Sequence, residues 1–91
     1  MAHEVRNFEI READRVVNVK IYETADPQYP SGYRYALHWG HTDGRGAILR
    51  YDNENETVGR HERHDETGVS EIEFPGMQTL WERFKRECDD I

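Results

Sequence analysis

Between Tyr33 and Trp39 every second position is apolar or aromatic: Tyr33, Tyr35, Leu37 and Trp39, with Arg34, Ala36 and His38 between them. A period of two is the mark of a strand with one buried face. The same alternation returns in AILRYDN, where Ala47, Leu49 and Tyr51 oppose Ile48, Arg50 and Asp52. Asp43-Gly44 and Gly46 lie between the two runs and supply the turn of a hairpin. Upstream, NFEIREADRVVNVKIYET predicts two strands around a short turn at Glu12–Arg15, the second carrying Val17, Val19 and Ile21 on one face and Asn18 and Lys20 on the other. DPQYPSG, with two prolines and a glycine, is a loop. A further strand is expected within Val58–Asp65 or Val69–Phe74.

After Pro75-Gly76 the period changes. Met77, Leu80, Trp81, Phe84, Cys88 and Ile91 follow helical spacing, with Glu82 and Arg86 as an i,i+4 pair on the polar side. A lone helix of this length is marginal in water, so its apolar stripe must dock, and the sheet is the economical place. The expected fold is α+β: an antiparallel sheet of four or five strands with one C-terminal amphipathic helix packed on a face. The aromatic residues of Tyr33–Trp39 and of Trp81–Phe84 then belong to the core.

Composition narrows the setting. With 91 residues, 35% hydrophobic and 34% charged, residues 1–91 are expected to form a single domain with a thin core. The lone Cys88 permits no internal disulfide, no apolar run reaches the 18 or so residues of a membrane span, and MAHEVRNFEI has no signal-peptide core. A cytoplasmic location is expected. The net charge of −7 argues against nucleic-acid binding by the whole surface. Only Lys20 and Lys85 are lysines, against nineteen acids. Such acid-rich, lysine-poor surfaces suit a halophilic host, where molar salt shortens the Debye length to about 3 Å; an ordinary acidic domain is the other account.

Candidate chemistry is concentrated in ILRYDNENETVGRHERHDE. His61 and His64 are three apart, as are His38 and His41, and in a strand this spacing puts the rings on opposite faces about 10 Å apart along the chain. A shared metal is therefore not expected, and neither is a cofactor. Histidine titrates near neutrality and serves as both acid and base. RNA phosphodiester cleavage by the 2′-hydroxyl needs a base, an acid and a cation, with no metal obligatory. Arg50, Arg60 and Arg63 have the forked donors that hold a phosphate, and Asp52 is suited to orienting a histidine. Each group also has a plain structural account: RHERHDE as a solvated strand end, and Asp52 and Asn53 as turn formers.

The order of these pieces resembles the TumE-like small toxins of toxin–antitoxin loci. GYRY precedes an aromatic strand; then come Arg50-Tyr51-Asp52-Asn53, a gap, Arg60-His61-Glu62-Arg63-His64 and a closing helix. The likeness spans Tyr33 to Phe84. The chain departs from the family where further histidines often follow the Asp-Asn, since it has Glu54, Asn55 and Glu56 there. The resemblance implies a toxin with a helix-turn-helix antitoxin as partner, acting on RNA as other compact toxins do. It marks Arg50, Asp52, Asn53, His61 and His64 as functional positions.

Two functions follow. In the first the chain is a toxin and a metal-independent ribonuclease, with His61, His64 and Asp52 as catalytic groups and Arg50, Asn53, Arg60 and Arg63 holding substrate. In the second it is a non-catalytic acidic binding module that engages a DNA-binding regulator or another basic partner through an exposed sheet edge, with a homodimer through the aromatic face as one form.

Overall fold

The computed structural model describes residues 3–54 and 57–88. Six strands lie in one antiparallel sheet in chain order: β1 (His3–Glu12), β2 (Arg15–Glu23), β3 (Tyr33–His41), β4 (Ala47–Asp52), β5 (Glu62–Asp65) and β6 (Gly68–Glu71). The helix α1 spans Met77–Glu87. The class is the expected α+β, with six strands instead of four or five, because Val58–Asp65 and Val69–Phe74 each contribute a short one. Ile91, the last position of the helical stripe, lies outside the described residues.

Turn chemistry sets the meander. Ala13 takes φ 54° in the tight β1–β2 turn, a left-handed conformation that few side chains adopt. Gly44 and Gly46, at φ 87° and 93°, close the β3–β4 connection, and a bulge between Trp39 and Gly40 shifts its register. In the β5–β6 turn, Asp65 accepts from the Thr67 amide (2.8 Å) and hydroxyl (2.6 Å). These bonds and Arg63 hold the Asp65 carboxyl down at about 2.

The alternation sorts the sheet into two faces. Val17, Val19, Ile21, Tyr35, Leu37, Leu49 and Tyr51 are buried on one of them, as are Met77, Leu80, Trp81, Phe84 and Cys88 of the helical segment. Edge contacts lock helix to sheet: Phe8 meets Trp81 at 6.0 Å between centroids, and Tyr51 meets Phe84 at 6.4 Å. Such pairs add about 0.5–1.5 kcal/mol each beyond the area they bury. The opposite face, which α1 does not cover, carries the intervening polar residues.

Candidate active site on the open face of the sheet

Register decides which polar residues meet. Asn18 pairs with His38, His38 with Arg50, and Arg50 with His64. These four form one row across β2, β3, β4 and β5. Neighbouring strands are about 4.8 Å apart, so Arg50 stands between two histidines on adjacent strands. The next row runs Lys20, Ala36, Asp52, Glu62.

Asp52 is the buried anchor of this cluster, with its side chain 5% exposed. Arg50 Nε donates to Asp52 Oδ2 at 2.5 Å. His64 Nε2 lies 3.3 Å from Glu62 Oε1 and 3.9 Å from Asp52 Oδ2. That nitrogen is shielded from solvent, yet it is hydrogen-bonded to neither carboxylate. Asp52, Glu62 and His64 bring one ligand atom each within 4.8 Å of one another, a donor set that suits a divalent cation. Arg50 already supplies a positive charge at Asp52.

His38 completes the cluster, although the sequence motifs do not single it out. Its pKa is lowered, first by burial and then by the Arg50 guanidinium, so the ring stays neutral to lower pH than a free imidazole. The ring lies over Gly40, where an added Cβ would come 2.6 Å from His38 Nε2 and 2.9 Å from the Gly46 carbonyl. The signal was the alternation itself, which puts His38 and Arg50 on the polar faces of a predicted hairpin.

The remaining predicted residues sit elsewhere. His61 and His64, three apart, fall on opposite faces as strand spacing requires. His61 stacks on Phe74 at 4.5 Å and on Tyr35 at 5.8 Å. The Tyr35 hydroxyl, kept protonated by burial, is 2.8 Å from His61 Nδ1, and burial also lowers the His61 pKa. Asn53 is fully buried. It accepts from the Tyr35 amide (2.9 Å) and donates to the Tyr33 carbonyl (2.7 Å), extending the β3–β4 ladder through its side chain. Arg63 faces the helix side: it pairs with Glu87 at 2.6 Å and with Asp65, and donates to the Tyr51 hydroxyl at 3.2 Å. Arg60 reaches Glu62 (3.4 Å) and Glu71 (3.7 Å) at the far edge. Arg50, Asp52 and His64 are therefore brought together with His38 and Glu62, whereas His61, Asn53 and Arg63 hold the fold around them.

The fold and site define a small sheet-and-helix protein whose uncovered face gathers imidazole, guanidinium and carboxylate groups. The chain belongs to the TumE toxin family, whose pattern matches residues 2–91. With that family comes the role of toxin component in a toxin–antitoxin pair, and an antitoxin as partner. No curated protein and no solved structure matches the chain. Among the described residues, no helix is long and apolar enough to cross a membrane.

Proposed function

We propose that this toxin is a metal-independent ribonuclease of the cytoplasm, restrained by a helix-turn-helix antitoxin, and that it cuts RNA on the open face of its sheet. The observation that carries this is the row His38, Arg50, His64 on three consecutive strands. Arg50 holds the non-bridging phosphate oxygens between the two rings, where a forked donor stabilises the charge that builds up on them. His38, kept neutral by burial and by Arg50, takes the proton of the ribose 2′-hydroxyl. The 2′-oxygen attacks phosphorus, the bond from phosphorus to the 5′-oxygen breaks, and His64 gives that oxygen a proton. The products are a 2′,3′-cyclic phosphate and a 5′-hydroxyl. The Glu62 and Asp52 carboxylates lie near His64 Nε2, so Nδ1 is the nitrogen assigned to the leaving group.

The test is RNA cleavage by the purified protein with EDTA, at low and at molar KCl, beside His38→Gln and His64→Gln. Cleavage should persist in EDTA and fall about 100-fold or more in either variant, the usual scale of general acid–base catalysis, while thermal melts stay near wild type. Loss of cleavage on chelation would overturn metal independence. A folded wild type that cuts no RNA would leave the binding-module function, for which the exposed edge strand β6, with Val69 60% exposed, is the supporting feature.

A further inference from the structure

Beside Arg50 the open face sinks into a depression of about 340 Å³ between β1 and β4. Val16 and Ala36 are its apolar lining, one towards each end, with the Asn18–His38 pair between them. Around them stand the cations Arg11, Lys20 and Arg50, beside the neutral ring of His38. Three cations against the acids Glu9 and Glu54 leave its lining net positive on a chain of net charge −7. Acids and cations here are both partly paired: Glu9 with Arg11 at 3.1 Å, Glu54 with Arg34 at 2.9 Å and Arg50 with Asp52 at 2.5 Å, and Glu9 also accepts from the Asn18 side-chain amide at 3.4 Å.

We infer that this depression binds the single-stranded RNA segment next to the cleaved phosphate, with Lys20 and Arg11 holding its phosphates. The inference rests on the ribonuclease function proposed above and names where its substrate lies. Between the two apolar positions, the Asn18–Glu9 pair offers a side-chain amide and a carboxylate to a base edge. The pairing edge is within reach only when the base is unpaired, so a duplex does not fit. Among the described residues, no Phe, Tyr or Trp lines the depression. Base stacking on aromatic rings, a usual source of single-strand affinity, is therefore missing, and phosphate contacts carry the binding. The row Asn18–His38–Arg50–His64 crosses the strands, so the RNA backbone runs across the sheet from the depression to His64.

The experiment measures binding of a 2′-O-methyl RNA octamer, which cannot be cleaved through its 2′-oxygen, by fluorescence anisotropy over a KCl series, together with kinetics on a cleavable RNA. The variants are Lys20→Gln, Arg11→Gln and the pair, with Arg45→Gln, ion-paired to Asp43 in the β3–β4 turn, as control. The double variant should bind about tenfold more weakly at low salt and lose about 1.4 from the log–log salt slope, 0.7 for each phosphate contact on a single strand. KM should rise with kcat within about twofold, since neither residue touches the reacting atoms. Arg45→Gln should match wild type. Unchanged affinity and slope in the double variant overturn the inference even if the protein cleaves RNA, and so does equal wild-type affinity for a duplex of the same sequence. If the octamer binds and the double variant loses it while no RNA is cut, the binding site stands and the ribonuclease function falls.

Discussion

Asn53 shows how a residue can belong to a family motif and act on the fold. Its amide replaces two backbone partners, holding the Tyr35 N–H and the Tyr33 carbonyl in a fully buried position. Leaving a buried donor or acceptor unsatisfied costs about 1–3 kcal/mol. Asn53→Ala should therefore destabilise the protein by about 2–4 kcal/mol in urea titrations; a loss below about 1 kcal/mol would mean the backbone groups find other partners. The histidines make a second prediction. Burial lowers the pKa of both His38 and His61, so on falling pH the unfolded chain takes up protons near 6.5 before the folded one does. Stability from this source is complete above about pH 6.5 and is lost as pH drops through the folded values. Melts at pH 7.5, 6.5 and 5.5 should show falling Tm, and His61→Gln, which keeps an acceptor for the Tyr35 hydroxyl, should flatten the fall. An equally steep fall in that variant would place the proton uptake elsewhere.

At the scale of elements, the long periodic segments were legible, and the short ones only as one strand expected within Val58–Asp65 or Val69–Phe74, where two form. β2, β3 and β4 each show several alternating apolar residues, and α1 carries a full stripe. β5 and β6 are four residues each, ERHD and GVSE, too short and too polar to show a period. Yet β5 fixes the site, because pairing Tyr51 with Arg63 sends Arg63 to the helix side and His64 to the open side. The spacing of His61 and His64 already implied opposite faces; which of the two would join Asp52 depended on a register that alternation within one strand does not contain. The bulge at Gly40 hid the His38–Arg50 pairing in the same way. On the helix side, Glu87 links Tyr51 and Arg63 to the end of α1, and Arg63 is raised above its ordinary pKa chiefly by Glu87. Both side chains are about a third exposed, at 29% and 30%. A double-mutant cycle with Arg63→Met and Glu87→Gln should give a coupling of about 1 kcal/mol, the upper end for a partly exposed pair. A coupling near zero would mean that apolar packing alone seats the helix.

The whole molecule joins two opposed responses to salt. Nineteen acids against twelve lysines and arginines leave −7, and this self-repulsion weakens the compact state until salt screens it. Several ion pairs are local and exposed, such as Arg11–Glu9, Arg15–Asp14 and Arg45–Asp43, and pairs so open to solvent contribute little. Screening removes both terms, but the acids exceed their partners, so relief of repulsion should win. Tm should rise between 0.1 and 2 M KCl, and a fall would mean that the surface pairs outweigh the excess charge and that the acidic composition is no adaptation to salt. RNA binding through Lys20 and Arg11 should move the other way. Two single-strand phosphate contacts lose about 25-fold in affinity for each tenfold rise in salt. A protein built for molar KCl would then be most stable where its exposed phosphate contacts are weakest. If it cuts RNA as proposed, its remaining grip on substrate must come from groups that solvent ions reach least, and half-buried Arg50, fixed on buried Asp52 between His38 and His64, would fill that role.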